Sequence, residues 1–368
     1  MLQIPFNAEK ILKAFSLCGE ITECKPLNDG HINSTYVIKL NDKTKYTIQK
    51  INTNIFTDPD GLMENIVGVT THIKDVLKSK GENPQRGTLT FLSCENGKYY
   101  FKEDDGSCWR IYEYIDGVRT CNKINCEKVF KNAGKAFGEF QHQLSDFPMS
   151  KLNETIPNFH DTYSRFNDFK KAVNDDASGR AAGVSELIDF ALAREDDTHV
   201  LLDLINQKKL PLRVTHNDTK LNNILFDEET EEGICIIDLD TVMPGLSLYD
   251  FGDSIRFGAN TAAEDESDVS KVSLSLPLYK AYVEGYLSSA KNSLTECEIE
   301  YLPFSAKLMT YECGIRFLGD YLNGDTYFKT DYPEHNLVRA KTQLVLVSDI
   351  EKKFDEMKKI TFEAVNQF

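Results

Sequence analysis

VTHNDTKLNNILF at residues 214–226 and IIDLD at residues 236–240 are the two most informative segments of this sequence. In the first, His216, Asp218 and Asn223 form the pattern His-x-Asp-x-x-x-x-Asn, which leads into a short apolar run. In the second segment, a short apolar run ends at Asp238. Short apolar runs bounded by turn residues predict strands. The strands predicted here are 212–215, 223–226 and 234–239.

The residue types in this pattern suit phosphoryl transfer. That reaction needs little covalent help from a protein, because catalysis rests on placing the acceptor hydroxyl and neutralising phosphate charge with a metal ion. Asp218 can accept the hydroxyl proton, while Asn223 and Asp238 offer the hard oxygen ligands that Mg²⁺ prefers. His216 then holds the loop. The plainer alternative is that Asp218 and Asn223 form turn hydrogen bonds and Asp238 caps a helix.

Composition and charge narrow the class of protein. The chain has 368 residues, 41% hydrophobic and 27% charged, as expected for a soluble globular protein of two or three domains. Its net charge of −16 opposes binding to nucleic acid or anionic lipid. Nine cysteines without a CxxC pair argue against a disulfide framework and a zinc site. With neither a secretory signal nor a membrane-spanning run, we expect a cytoplasmic protein.

Two phosphate-binding motifs are absent from the sequence. It contains no GxxxxGK[ST] segment, which excludes a Walker-type loop. It also contains no GxGxxG between a strand and a helix, which excludes the dinucleotide-binding fingerprint. A phosphate ligand must therefore be held by other means.

A change of pattern near residue 116 divides the chain. Before it, strands accompany one amphipathic helix at 59–80, and a short helix capped by Asn7 precedes them. After Gly117 the pattern is mostly helical, beginning at 126–146. We expect an α+β fold whose first lobe contains five strands. The strands predicted in that lobe are 34–40, 45–51, 89–93, 98–101 and 108–114.

The two segments resemble the catalytic loop and metal-binding strand of the aminoglycoside phosphotransferase and choline kinase superfamily, whose fold is similar to that of protein kinases. Three further segments resemble the bacterial N-acetylhexosamine 1-kinases: LDTVMPG at 239–245, YDFGDSIRFG at 249–258 and RFLGDYLNGD at 316–325. The likeness runs from about residue 28 to residue 341.

This resemblance implies a protein-kinase-like bilobal fold. Residues 1–116 would form a small five-stranded antiparallel N-terminal lobe that binds nucleotide and includes the hinge. Residues 117–368 would form a larger, mostly helical C-terminal lobe with the catalytic loop and the acceptor site. ATP and Mg²⁺ would be the cofactors, a small-molecule sugar the acceptor, and the chain a monomer or homodimer.

The loop at 28–36 leads straight into the first strand of a hairpin. The resemblance implies that this loop covers the nucleotide phosphates, with Gly30, Asn33 and Ser34 as the contacting residues, because exposed backbone N–H groups can approach phosphates there. The alternative is a plain surface turn.

Strand 45–51 departs from the kinase pattern. Kinases carry a lysine on the third strand that holds the α- and β-phosphates. Gln49 occupies that position here, and Lys50 points to the opposite face. Either Gln49 replaces the lysine or a bulge turns Lys50 inward. Glu64, early in the following helix, is the expected partner of whichever residue is used, or else an exposed helix glutamate.

The segment 109–117 joins the two predicted lobes. In kinase-like folds the main chain of this linker binds adenine. By position, the resemblance therefore implies that the carbonyl of Glu113 and the amide of Ile115 hydrogen-bond adenine. Tyr112 would limit the depth of the adenine pocket.

The acceptor site is predicted around Asp218. The resemblance implies that His31 lies near the sugar and that Arg316 hydrogen-bonds a sugar hydroxyl; the alternatives are a turn histidine and a surface pair of Arg316 with Asp320. Phe257 is expected either as an apolar wall of this pocket or as an ordinary core residue.

Three functions are compatible with these patterns. The first is an ATP-dependent N-acetylhexosamine 1-kinase. The second is a kinase of an aminoglycoside or amino alcohol such as choline, for which the acidic stretch 263–266 with nearby tyrosines offers a cation site. The third is an inactive kinase-like binding protein, which the missing lysine at Gln49 favours and the presence of Asp218 opposes. In all three, Asp250 is expected to brace the catalytic loop rather than contact substrate.

Overall fold

A computed structural model of the chain describes residues 4–27, 32–122, 124 and 126–368. The chain packs into two compact units that are not continuous in sequence. Unit 1 comprises Met1–Thr120, Asp146–Ile156 and Asn222–Met243, and unit 2 comprises Cys121–Ser145, Pro157–Leu221 and Pro244–Phe368. The predicted division at residue 116 into a nucleotide lobe and an acceptor lobe stays a prediction; the packing adds two later segments to the first unit.

Unit 1 is built on a five-stranded antiparallel sheet with the order β1-β2-β3-β5-β4. Its strands are β1 (Ile21–Leu27), β2 (Ser34–Leu40), β3 (Lys45–Ile51), β4 (Phe101–Lys102) and β5 (Cys108–Glu113). Its helices are α1 (Ala8–Ala14), α2 (Pro59–Ser79) and the single turn α3 (Pro84–Gly87). The sheet and the helical second unit confirm the predicted α+β, kinase-like fold class.

The two faces of this sheet differ in polarity because successive strand side chains point to opposite sides. On one face Ile38, Ile48 and Ile111 pack against α1 through the buried Ile11 and Leu12. The other face is polar. Its residues include Thr35, Thr47, Gln49, Arg110 and Tyr112.

Two of the predicted strands in this sheet are corrected. Residues 89–93 do not form a strand: Phe91 makes a single bridge to Tyr112. The strand predicted at 98–101 begins only at Phe101. The fifth strand is instead β1, a mostly exposed edge strand with a proline at residue 26, and its polar sequence lacks the apolar alternation that would have predicted it.

A second, three-stranded sheet in unit 1 carries one of the informative segments. It has the order β6-β8-β9. Its strands are β6 (Val118–Arg119), β8 (Ile224–Asp227) and β9 (Gly233–Ile236). β8 and β9 confirm the strands predicted there, and the acidic turn between them links them as an antiparallel hairpin.

Unit 2 is mostly helical. Its helices are α4 (Glu127–Gln143), α5 (Thr162–Asp175), α6 (Ser185–Leu192), α7 (Val200–Asn206), α8 (Ser247–Gly258), α9 (Leu276–Ala290), α10 (Glu296–Leu322) and α11 (His335–Val365). The short strand β7 (Arg213–Thr215) precedes the catalytic loop, and β10 (Met243–Gly245) contains residues of both units.

Close helix packing fixes the core of unit 2. α4 and α9 approach so closely that a Cβ on Gly134 would overlap the carbonyl oxygen of Tyr282, so only glycine fits there. α5, α10 and α11 enclose a second core that includes Phe166, Leu318 and Leu344. No helix in the described part of the chain is long and apolar enough to cross a membrane.

Candidate active site

The hairpin of β8 and β9 brings Asn223 and Asp238 to the same end. Ile224 pairs with Ile236 in the hairpin, and beyond that pair the amide of Ile237 donates to the carbonyl of Asn223 at 2.9 Å. Asp238 follows with a left-handed backbone (φ 59°), which turns the chain out of the strand. The local spacing of turn and strand residues therefore brings Asn223 and Asp238 to the same end of the hairpin in unit 1.

In unit 2, Asp250 braces the loop that follows β7, which is predicted to be catalytic. Its carboxylate on α8 is 2% exposed and accepts hydrogen bonds from the amides of His216 (2.9 Å) and Asn217 (2.8 Å) and from Gln141 (3.1 Å). Burial raises the pKa of Asp250, and the nearby His216 and the two amide donors oppose that shift. This arrangement confirms the bracing role predicted for Asp250.

His216 is fully buried beneath the loop. Its ring packs edge-on against Phe137 and Phe140 of α4, and its Nδ1 accepts from the amide of Asp218 at 3.2 Å. The prediction that His216 holds the loop is confirmed by these contacts.

Asp218 is partly exposed at the end of this braced loop. Its carboxylate forms an ion pair with Lys220 Nζ at 2.9 Å, and 29% of its side chain is accessible. Asp218 raises the pKa of Lys220 well above its ordinary value, so the lysine is a permanent cation. Asp253 on α8 also raises the pKa of Lys220, and its carboxylate accepts a hydrogen bond from the amide of Thr219. The site thus presents an accessible carboxylate beside a fixed positive charge.

Arg316 on α10 lies among aromatic rings rather than beside Asp320. Its guanidinium carbon is 5.9 Å from the ring centre of Phe159 and 5.6 Å from that of Phe328, and 20% of its side chain is accessible. Asp320 is buried, and its carboxylate accepts hydrogen bonds from the backbone amides of residues 326–328 instead. The surface pair of Arg316 with Asp320 that the spacing offered is therefore excluded.

A buried network connects Arg316 to the catalytic loop. Arg316 Nη1 is 3.9 Å from Glu312 Oε1, which contacts His160 Nδ1 at 2.8 Å. His160 Nε2 lies 3.2 Å from the carbonyl oxygen of Asn217, the residue before Asp218. Burial by itself raises the pKa of Glu312, but His160, Arg316 and the Thr162 hydroxyl together hold it below its ordinary value.

The sheet register decides between Gln49 and Lys50. β3 pairs with β5 without a break from Tyr46 to Ile51, so there is no bulge in this strand. Gln49 lies on the polar face, where it donates to Thr35 Oγ1 at 3.0 Å. Lys50 is exposed on the opposite face, 5.9 Å from the Trp109 ring. The alternative of a bulge that turns Lys50 inward is therefore wrong.

Of the two alternatives for Glu64, the exposed helix glutamate is confirmed, and the pairing with residue 49 or 50 is wrong. Its exposed carboxylate accepts a hydrogen bond from Asn153 Nδ2 at 3.1 Å. The buried residue that α2 presents to the polar face is the preceding one, Met63, whose sulfur lies 3.8 Å from Arg110 Nη1. One residue along a helix turns the side chain by about 100°, which is enough to exchange the inner position.

A buried cation on this face is Arg110, which sequence reasoning missed. It lies directly opposite Gln49 in the register, donates to Gln49 Oε1 at 2.9 Å and forms an ion pair with Asp240 Oδ1 at 2.6 Å. Asp240 Oδ2 in turn accepts from Asn33 Nδ2 at 2.5 Å. The only sequence signal was a basic residue between the apolar Trp109 and Ile111 of a strand.

The predicted hinge residues lie at the end of β5 and just after it. Tyr112 is on the polar face, and burial raises the pKa of its phenol. Glu113 is exposed, its amide donating to Thr90, and Ile115 is buried. Ser34 is exposed at the start of β2. Gly30 and His31 lie outside the described residues.

Phe257, predicted either as a wall of the acceptor pocket or as a core residue, is half-buried near the end of α8. The network residues Lys220, His160 and Glu312 were missed, because His160 and Glu312 are 152 residues apart and carry no local motif. Lys220 was within the quoted loop, where its pairing with Asp218 was open to prediction.

The oxygen donors of unit 1 fit Mg²⁺. Among the described residues, no group of three or more His, Cys, Asp or Glu side chains is arranged to hold a metal ion. Mg²⁺ is usually bound by one or two carboxylates together with substrate phosphates, so the neighbouring Asn223 and Asp238 are a suitable set.

Comparison with known families identifies the fold's relatives. Residues 23–286 match the phosphotransferase enzyme family. The chain belongs to this family. The predicted superfamily is therefore confirmed, and this phosphotransferase is of the type that acts on small-molecule alcohols. ATP with Mg²⁺ is typical of such enzymes, in agreement with the predicted cofactors.

Solved structures of similar fold span almost the whole chain. A microcompartment-associated aminopropanol kinase is 14% identical with a TM-score of 0.60, covering 95% of this chain and 98% of its own. An amicoumacin kinase in complex with AMP-PNP, Ca²⁺ and its ligand is 14% identical with a TM-score of 0.59, covering 95% and 94%. A Plasmodium vivax ethanolamine kinase is 17% identical with a TM-score of 0.51, covering 87% and 82%. At these identities the similarity shows the fold alone.

Proposed function

We propose that this phosphotransferase transfers the γ-phosphoryl group of ATP to the anomeric hydroxyl of an N-acetylhexosamine, giving the sugar 1-phosphate. The observation that carries the proposal is the network from Arg316 through Glu312 and His160 to the carbonyl of Asn217. This network connects the Arg316 guanidinium, a hydrogen-bond donor, to the loop that contains Asp218.

The surroundings of Arg316 argue against a cationic acceptor. Recognition of a quaternary or primary ammonium group uses free aromatic faces and carboxylates. Here the rings of Phe159 and Phe328 are already in contact with the Arg316 guanidinium. Glu312 is buried and engaged by His160. A neutral, oxygen-rich acceptor is better matched to these groups than an amino alcohol.

In the proposed reaction Asp218 is the general base. It accepts the proton of the anomeric hydroxyl as that oxygen bonds to the γ-phosphorus and the bond from phosphorus to the β,γ-bridging oxygen breaks. Asn223 and Asp238 would hold Mg²⁺, which when bound offsets the charge on the phosphates. Lys220 holds the carboxylate of Asp218 in place, since the two form an ion pair at 2.9 Å.

The remaining assignments follow the family pattern. We assign Gly30, Asn33 and Ser34 to the phosphates and the main chain of Glu113 and Ile115 to adenine, with Tyr112 at the back of that pocket. His31 and Phe257 join Arg316 on the sugar. A cytoplasmic monomer or homodimer is the proposed working form.

The acceptor class can be tested with the unmodified enzyme. We expect the specificity constant for N-acetylglucosamine or N-acetylgalactosamine to exceed those for choline, ethanolamine and an aminoglycoside by at least about a hundredfold, because a site built to pair substrate oxygens discriminates strongly. Steady-state kinetics with ATP held saturating measures these constants. A higher constant for any amino alcohol would contradict the proposal.

Replacing Arg316 by methionine tests the acceptor contact directly. The variant keeps much of the apolar length but loses the donors, so the specificity constant for the sugar should fall about tenfold to a hundredfold while the KM for ATP changes little. Arg339→Met is the matched control, because Arg339 also lies over a ring, Phe317, at 5.4 Å. An unchanged specificity constant for the sugar in Arg316→Met would show that Arg316 does not contact the acceptor.

A further inference from the structure

The polar face of the main sheet contains a buried cation with an unusual set of partners. Arg110 on β5 is 2% exposed, and its guanidinium lies between Asp240, Gln49 and the sulfur of Met63. Burial disfavours its charged form, yet Asp240 outweighs this and raises the pKa of Arg110 above its ordinary value, with Asp238 acting in the same sense. The charge is therefore permanent, and Asp240 contacts it directly.

Stability alone does not account for this pair. Removing two charges from water costs several kcal/mol per ion, and buried ion pairs can often be replaced by apolar residues without loss of stability. The pair is accordingly better explained by what its groups hold in place. Arg110 and Asp240 are 130 residues apart, so the ion pair connects β5 to the segment that follows β9.

Asp240 extends the connection to a third part of unit 1. Its second oxygen accepts from Asn33, whose own amide oxygen accepts from the backbone amide of Asn52 at 2.9 Å. The carboxylate thus fixes Asn33, which precedes β2 and lies within the predicted phosphate-covering loop. Two residues before it lies Asp238, the proposed metal ligand. One guanidinium therefore anchors both the phosphate side and the metal side of the site.

We propose that Arg110 is the positioning cation of the nucleotide-phosphate site, in place of the lysine that kinases carry on the third strand. It holds Asp240, and through Asp240 it holds Asn33 and the segment of Asp238, in the geometry that receives Mg²⁺·ATP. This inference rests on the proposed use of Mg²⁺·ATP but is independent of the acceptor.

The strand register explains why either β3 or β5 can supply the cation. Residue 49 of β3 and residue 110 of β5 are direct cross-strand partners on the same face, and such partners have Cβ atoms about 5 Å apart. Either position can therefore place a long basic side chain in the same space. The glutamine at 49 and the arginine at 110 together provide one cation there, as a lysine at 49 would.

Relocating the positive charge from residue 110 of β5 to residue 49 of β3 tests this inference. Calorimetric titration with Mg²⁺·ATP in the absence of any acceptor gives the dissociation constant for each variant. Arg110→Met should raise this constant about tenfold to a hundredfold, because Asp240, Asn33 and the segment of Asp238 are then no longer held in the geometry that receives Mg²⁺·ATP. The double variant Gln49→Lys/Arg110→Met should bind within about threefold of the unmodified protein. Arg194→Met, which removes the Arg194–Glu351 ion pair of unit 2, is the matched control and should change nothing.

Thermal unfolding shows which variants are folded before they are compared. If Arg110→Met leaves Asp240 buried without a partner and does not fold, Arg110→Met/Asp240→Asn removes both charges together and should still lose affinity for Mg²⁺·ATP. Unchanged affinity in either folded variant would overturn the inference, as would a folded charge-relocated variant that fails to recover. Because no acceptor is present, a wrong sugar assignment would leave these results unaltered.

Discussion

Asp218→Asn is expected to reduce phosphoryl transfer by about 10²–10⁴-fold while the protein stays folded. The substitution keeps the shape of the side chain but removes the group that accepts the hydroxyl proton, and general-base catalysis contributes an effect of this size. It also removes the ion pair with Lys220. The loop itself should persist, because Asp250 and His216 brace it through their own hydrogen bonds. Release of labelled product from γ-labelled ATP measures the rate.

A matched control separates catalysis from charge loss. Asp197 in unit 2 pairs with Lys307 at 2.8 Å and is 24% accessible, close to the 29% of Asp218. Asp197→Asn should retain nearly full activity. Transfer by Asp218→Asn within tenfold of the unmodified enzyme would show that Asp218 is not the base.

Asp238→Ala is expected to weaken Mg²⁺ binding in the presence of nucleotide and to slow transfer by at least about a hundredfold. A bound metal ion supplies several kcal/mol of charge stabilisation, and each 1.36 kcal/mol corresponds to a factor of ten. Asn223→Ala should act in the same direction but less strongly, since a neutral amide oxygen is a weaker ligand than a carboxylate. Titration of Mg²⁺ at fixed nucleotide concentration gives the affinity.

The opposite end of the same hairpin provides the control for Asp238. Asp227 ends β8, pairs with Arg86 at 2.8 Å and is 22% accessible. Asp227→Ala changes one carboxylate on the same hairpin and should leave the Mg²⁺ titration unchanged. An unaltered Mg²⁺ affinity in Asp238→Ala would show that the metal ligand lies elsewhere.

Local patterns predicted the parts of the site that are close in sequence. The hairpin that brings Asn223 and Asp238 together spans few residues, and its turn and strand residues are visible in the sequence. The bracing by Asp250 was predicted from a resemblance and is explained by two backbone donors on the loop. β2 and β3 were predicted with their observed bounds because apolar and polar residues alternate along them.

Contacts between distant residues could not be predicted in the same way. The pairing of Arg110 with Asp240 depends on tertiary packing, and no local spacing encodes it. Glu64 was predicted because a charged partner was expected for the third strand, whereas the inner position of α2 is the apolar Met63. β1 was missed since an edge strand needs little hydrophobic sequence.

The position of the new phosphate tests most directly the proposed transfer to the anomeric oxygen of an N-acetylhexosamine. The enzyme is incubated with Mg²⁺·ATP and N-acetylglucosamine or N-acetylgalactosamine labelled with ¹³C at carbon 1, and the product is observed by ³¹P NMR. We expect a new phosphomonoester signal split by coupling to the labelled carbon, because only a phosphate on the anomeric oxygen is two bonds from it. A product signal without this splitting, or no sugar product while choline or ethanolamine is phosphorylated, would contradict the account.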